Sequence, residues 1–243
     1  MREKVLERAV DVLFPRACAG CGTGAWPFCE GCRAALVPLQ PPWCRRCGRP
    51  SAVDVDSCRD CPPAPIVSAR SAFAYRGPAR QAVHRLKFSG WRGVGEALAA
   101  AVAALGPPPA DAVTWVPLAR RRRAERGFDQ ARVLAQALAR ELDLPAVALV
   151  RRITATAPQS RRTREERLRA MTGAFAPIPR RPAPERILLV DDVLTTGATV
   201  SACASVLSEA GVREIHVVTA CRSFSDPPPG TDRPPGPRGS RHP

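Results

Sequence analysis

Ile187 to Thr199 reads ILLVDDVLTTGAT, and the fold turns on this stretch. The apolar run Ile187-Leu188-Leu189-Val190 is short and β-branched, so it predicts a buried strand rather than a helix. Asp191 and Asp192 are expected where that strand ends. Thr195, Thr196, Gly197, Ala198 and Thr199 then offer hydroxyls and unhindered backbone N–H groups at the start of a helix expected over Ala198 to Gly211. A helix N-terminus carries orphan donors and about half a positive charge, which suits phosphate. Carboxylates beside it suit ribose hydroxyls or the shell of a magnesium ion. Together these parts describe a receptacle for a sugar phosphate. The plainer alternative is an ordinary strand-to-helix turn with threonine as the helix cap.

The segment resembles the phosphoribosyl-pyrophosphate (PRPP) signature of type I phosphoribosyltransferases: four apolar residues, an acidic pair, two apolar residues, then small and hydroxyl residues around Gly197. The resemblance implies that Thr195 to Thr199 hold the 5′-phosphate. It also implies that Asp191 and Asp192, with Mg²⁺ accompanying PRPP, hold the ribose 2′- and 3′-hydroxyls.

Outward from this stretch the chain alternates. Ser71 to Tyr75 reads as a strand, Arg80 to Phe88 and Val94 to Leu105 as helices, and Ala112 to Val116 as a strand. Ala131 to Glu141 reads as a helix, Ala146 to Val150 as a strand and Ile215 to Thr219 as the last strand. Alternation of this kind predicts an α/β fold, a mostly parallel sheet flanked by helices. Ligands of such sheets bind beyond the strand carboxyl ends. The loop after Val116 shares that edge with the loop after Val190. It holds Pro117, Leu118, Ala119 and Arg120, then Arg121, Arg122, Arg123 and Arg126. By the same resemblance, Leu118, Ala119 and Arg120 grip pyrophosphate, which arginine forks match in geometry and charge. Lys87 either contacts phosphate or is a solvated surface lysine, and His84 reads as a packing histidine. The arginine-rich segment from Arg151 to Phe175 resembles the mobile loop that closes over PRPP, with a short helix at Arg164 to Ala170.

Ten cysteines sharpen the domain picture. Eight form four C-x-x-C units: Cys18/Cys21, Cys29/Cys32, Cys44/Cys47 and Cys58/Cys61. One such knuckle sets two thiolates on one side of a tight turn, and two knuckles complete a tetrahedral zinc site. Four knuckles therefore supply two structural Zn²⁺ sites. Spacers of seven and ten residues favour sequential pairing, although a crossed arrangement is also compatible. Disulfides need an oxidising compartment, and an iron–sulfur cluster is the other thiolate reading. Cys203 and Cys221 stand apart and read as small buried hydrophobes.

The 243 residues suit one mid-sized domain and a smaller one. The expected division is a helix at 1–14, a double zinc ribbon at 15–65, a phosphoribosyltransferase-like domain at 66–224 and a disordered, proline-rich tail at 225–243. No run approaches the ~18 apolar residues of a membrane span, and the acids in the first fourteen residues argue against a secretory signal. A cytoplasmic protein is expected. A net charge of +15, carried almost wholly by arginine, favours anionic partners such as nucleic acid or polyphosphates. Trp26, Trp43 and Trp91 are the candidate stacking surfaces for bases, or else core residues.

The whole pattern resembles the ComF (ComFC) family. The marks are the cysteine knuckles, the RGF-D-Q segment at Arg126 to Gln130, the T-x-x-Q element at Thr156 to Gln159, and the PRPP loop. The family usually has Asn where this chain has Asp129. The resemblance implies a zinc ribbon fused to a phosphoribosyltransferase domain, with PRPP as ligand and the acceptor unspecified. It also implies a link to uptake of transforming DNA, with single-stranded DNA and a helicase as partners. The rival reading is a nucleic-acid adaptor that uses the ribbon and the arginine-rich surface, with PRPP as a regulatory ligand or with no catalysis.

Overall fold

The computed structural model describes residues 17–63, 65–153 and 173–224. The expected N-terminal helix, most of the expected closing loop (Thr156, Gln159 and Arg164 to Ala170 included) and the tail lie outside those residues. The elements are α1 (Glu30–Ala34), β1 (Ile66–Ala74), α2 (Gly77–Phe88), α3 (Gly93–Ala103), β2 (Ala112–Trp115), α4 (Arg120–Arg126), α5 (Gln130–Glu141), β3 (Val150–Arg152), β4 (Phe175–Pro177), β5 (Arg186–Leu194), α6 (Ala198–Glu209) and β6 (Glu214–Arg222).

Four strands form one sheet in the order β1-β6-β5-β2, and every pairing within it is parallel. The expected parallel α/β sheet is therefore present. β3 and β4 form a separate antiparallel pair. The expected strand at Ala146 to Val150 resolves into two parts. Ala146 bridges Val113 beyond β2, while Val150 begins β3. Three strands outrun their expected limits. β1 starts at Ile66, ahead of the strand expected from Ser71, β5 runs on through the acidic pair to Leu194, and β6 runs past Thr219 to Arg222.

Because successive strand residues face opposite sides, β5 feeds two cores. Leu188 and Val190 pack with Val83 and Leu86 of α2, Leu98 of α3 and Leu134 of α5. Ile187 and Leu189 pack with Val200, Ala204 and Leu207 of α6. Each core also takes in one end of the cysteine-rich segment: Cys18, Ala19 and Phe28 join the first, and Cys44 and Cys47 the second. The segment between them closes the β1 edge, where Leu39 N–H donates to Ala72 O (3.0 Å) and Ala74 N–H to Val37 O (2.8 Å).

Candidate functional site

Both cysteine groupings are sequential. The sulfurs of Cys18, Cys21, Cys29 and Cys32 lie within 4.8 Å of one another, as do those of Cys44, Cys47, Cys58 and Cys61. Zn–S bonds of about 2.3 Å in a tetrahedron require sulfurs about 3.8 Å apart. The separations fit: 3.8 Å for Cys21–Cys29, 3.5 Å for Cys44–Cys61 and Cys47–Cys58, and 3.9 Å for Cys58–Cys61. Backbone N–H groups of Gly20 and Cys29 point at Cys18 Sγ, both at 3.3 Å, and that of Cys58 points at Cys61 Sγ at 3.3 Å. Such donors stabilise thiolate ligands. The two clusters thus fit structural zinc. Cys203 and Cys221 are fully buried, and burial raises both thiols, so they pack rather than react.

The first cluster rests on α2. Arg85 donates to the carbonyls of Ala19 (2.6 Å) and Gly20, and its guanidinium lies 5.4 Å from the Trp91 ring centroid. A Cβ on Gly20 would come within 2.6 Å of Cys32 Sγ and 2.9 Å of Pro78 Cβ, so only glycine permits this approach. The second cluster rests on the sheet. Arg70 of β1 donates to the carbonyls of Arg45 (2.6 Å) and Arg46 (3.4 Å) and lies over Trp43 at 5.0 Å. Arg222, buried at the end of β6, donates to the carbonyls of Cys47 and Asp60. The tryptophans read as possible base-stacking surfaces are therefore spoken for: Trp43 and Trp91 by arginine, Trp26 by packing on the first core. The most exposed aromatic ring among the described residues is instead Phe88.

At the carboxyl edge, β5 leads through Thr195, Thr196 and Gly197 into α6. Gly197 takes a left-handed φ of 80°, which glycine supplies without strain. It is the N-cap and brings no side chain, and α6 has no acid in its first turn. The first-turn N–H groups have no partner within the helix. Ala198 N–H reaches only Thr196 Oγ1, at 3.5 Å. Thr195 is exposed, and Thr196 and Thr199 are half-buried.

The acidic pair does not sit at the strand's end as expected. Because β5 continues to Leu194, Asp191 and Asp192 project to opposite faces. Asp191 lies on the α6 face, where its Oδ1 accepts from Asp192 N–H at 2.8 Å. Burial, followed by the charge of Asp192, pushes its carboxyl up to about 8. Asp192 lies on the α2 face, almost fully buried, with Lys87 Nζ 2.9 Å from its Oδ1. Its Oδ2 has no hydrogen-bond partner among the described residues. Burial works against the Lys87 charge, but Asp192 outweighs it and raises the ammonium above its ordinary value. Lys87 is thus no solvated surface lysine. The one sequence signal for it was its isolation in an otherwise arginine-based chain. His84 corrects the other way: it is exposed, with its ring 4.6 Å from that of Phe88.

The loop after β2 lies beside this edge, since Val116 N–H donates to Val190 O at 2.9 Å. Asp129 holds it there. Its Oδ1 accepts from the N–H groups of Ala131 (3.1 Å) and Arg132 (3.3 Å), capping α5, and its Oδ2 accepts from Leu118 N–H (2.9 Å). Asparagine has one carbonyl oxygen, so only the acid can cap α5 and tie down Leu118 through separate oxygens. Burial is the main influence on the Asp129 carboxyl and leaves it raised despite these donors. The arginines expected to form a loop fold instead as the short helix α4, ended by Gly127 at φ 73°. Arg120, Arg121 and Arg123 are exposed, whereas Arg126 donates to Gln130 Oε1 (3.0 Å) and lies over Phe88 at 4.8 Å.

Comparison with known families and proteins agrees with this layout. Residues 9–62 match the double zinc ribbon domain, and residues 129–234 match the phosphoribosyl transferase domain. The chain is 32% identical over 213 residues to the "DNA utilization protein YhgH" of Salmonella typhi, covering 82% of this chain and 92% of that protein. It is 36% identical over 110 residues to "Competence protein F" of Haemophilus influenzae, covering 44% and 48% of the two chains. It is 29% identical over 195 residues to "Competence protein ComFC" of Bacillus subtilis, covering 75% and 78%.

Proposed function

This chain belongs to the ComF (ComFC) family, and from that membership we propose that it binds PRPP with Mg²⁺ at the carboxyl edge of the sheet and acts as a phosphoribosyltransferase. The supporting observation is the uncapped N-terminus of α6, reached directly from the carboxylate-bearing strand β5. In this reading Thr195, Thr196, Gly197, Ala198 and Thr199 hold the 5′-phosphate with backbone N–H groups and hydroxyls. Asp191, on the same face as α6, meets the ribose hydroxyls first. Asp192 follows it on the strand, with Lys87 holding one carboxylate oxygen and the other oxygen buried without a partner among the described residues. Leu118, Ala119 and Arg120 take the pyrophosphate, and Asp129 fixes the Leu118 amide so that the loop is set before the ligand arrives. Mg²⁺ supplies charge neutralisation for the pyrophosphate. An acceptor nucleophile forms a bond to ribose C1 as the C1–O bond to pyrophosphate breaks, and the protein contributes position and electrostatics.

A second reading, a nucleic-acid adaptor linked to DNA uptake, draws support from the exposed arginines of α4 and the names of the relatives. Isothermal titration with PRPP and Mg²⁺ tests the first reading. Binding heat is expected from the parent chain and is expected to vanish in Asp191→Ala/Asp192→Ala; a parent chain that gives no heat ends the enzyme reading. Binding of single-stranded DNA across a salt series tests the second, which requires affinity to fall steeply with salt.

A further inference from the structure

The second cysteine cluster reaches the phosphate loop itself. Cys61 is followed by Pro62, which is buried. A Cβ on Gly197 would stand 3.3 Å from Pro62 Cβ and 3.8 Å from Pro62 Cα, so this proline packs directly against the bend that opens α6. Its position is fixed from behind. Cys61 Sγ lies 3.5 Å from Cys44 Sγ and 3.9 Å from Cys58 Sγ, and Cys61 N–H donates to Cys58 O at 3.1 Å. Asp60 pairs with Arg49 at 2.7 Å. Arg222 grips the carbonyls of Cys47 and Asp60, and Arg222 is also the register partner of Leu194, the last strand residue before the loop. Ser223 N–H closes the same junction on Leu194 O at 2.9 Å. The loop is thus held at its start by the residue that clasps the cluster and at its bend by the residue that follows the cluster's last ligand.

We propose that the Cys44, Cys47, Cys58 and Cys61 centre is a wall of the sugar-phosphate site, with Pro62 as the positioning residue that sets the Gly197 bend. Affinity for a phosphorylated pentose then depends on metal at this centre. The Cys18 to Cys32 centre, docked on α2 through Arg85, has no such connection among the described contacts. The proposal rests on the reading of Thr195 to Thr199 as the phosphate loop. It adds a role for the ribbon that a separate structural module would not have.

The test uses the full chain loaded with zinc and three variants: Pro62→Gly, which keeps every thiolate; Cys58→Ser; and Arg85→Met, which loosens the first cluster only. Zinc content, amide hydrogen exchange of residues 195–199, and titration with ribose 5-phosphate are the readouts. In Pro62→Gly, zinc stays at the parent level, exchange in the loop rises and affinity drops by about tenfold, the scale on which outer supporting contacts act. Cys58→Ser loses metal and shows the same two changes at least as strongly. Arg85→Met leaves loop exchange and affinity at parent values. Unchanged loop exchange and affinity in Pro62→Gly overturn the proposal whatever Cys58→Ser does, because that variant can fail by unfolding. A parent chain that gives no binding heat with PRPP and Mg²⁺ while Pro62→Gly still raises loop exchange overturns the PRPP reading but leaves the mechanical link standing.

Discussion

Each face of the sheet carries one cysteine cluster and one of the two adjacent aspartates, and the faces use them differently. On the α2 face, the first cluster touches a helix through one arginine, and Asp192 is buried and neutralised by Lys87 from that same helix. On the α6 face, the second cluster is clasped by arginines from β1 and β6, and Pro62 beyond its last cysteine lies against Gly197, while the Asp191 carboxyl is raised by burial first and then by the charge of Asp192, with Lys87 pulling the other way. One face therefore pairs its carboxylate with a lysine through one oxygen and leaves the other oxygen without a partner among the described residues. The other holds a carboxyl group and a row of helix-start N–H groups that a ligand with hydroxyls and phosphate would satisfy. Two neighbouring residues of one strand acquire different tasks because the pleat sends them to different surroundings.

The strongest test of this asymmetry removes each metal centre in turn. Structural zinc contributes on the order of 10–16 kcal/mol to folding, against a typical net stability of about 5–15 kcal/mol. Cys44→Ser/Cys47→Ser, with both residues inside the sheet core, is expected to abolish the cooperative calorimetric transition of the whole chain. Cys18→Ser/Cys21→Ser is expected to lower the midpoint yet keep a single transition. Equal losses from the two pairs would erase the distinction between the faces.

A smaller effect is expected at Lys87. Lys87→Met leaves Asp192 buried without its partner, a loss of about 3–5 kcal/mol, readable by chemical denaturation. Zinc content should remain at the parent level, because the first cluster is held by Arg85, two residues away, and not by Lys87. Loss of zinc in this variant would show that α2 carries both tasks as one unit.

The finest comparison sets the two clasping arginines against each other. Arg222→Met removes buried charged hydrogen bonds to two carbonyls, costing about 2–3 kcal/mol, while Arg85→Met, in a half-buried setting, costs about 1 kcal/mol. Denaturant midpoints of the pair measure the difference, and a reversed order would place the tighter dock on α2.

Much of this architecture was legible in local pattern. The C-x-x-C spacings led to the two sequential clusters, and the ILLV run followed by acids and threonines led to β5 and α6, because knuckles and strand-to-helix turns are decided within a dozen residues. What local pattern misplaced were matters of partnership. Where β5 ends depends on pairing with β6, whose Cys221 and Arg222 carry the ladder past the acids. Lys87 looks like any lysine on an amphipathic helix until a strand more than a hundred residues away presents Asp192 to it. The run from Arg120 to Arg126 has no apolar stripe, so nothing in its periodicity announced a helix. Asp129 read as a mild departure from a familiar asparagine, and its second oxygen gained meaning only once Leu118 was seen to donate to it.

The connecting segment at Val37 to Leu39 lies along β1, its backbone bonded to Ala72 and Ala74. That seam makes the cysteine-rich region a cover for an otherwise open ladder of amides and carbonyls. Cutting the chain between Leu39 and Ile66 to isolate the phosphoribosyltransferase-like half would strip this cover and bare a β edge, the kind of surface on which separate molecules stitch together and precipitate. The cysteine-rich region thus also covers a sheet edge, apart from any metal its thiolates would hold.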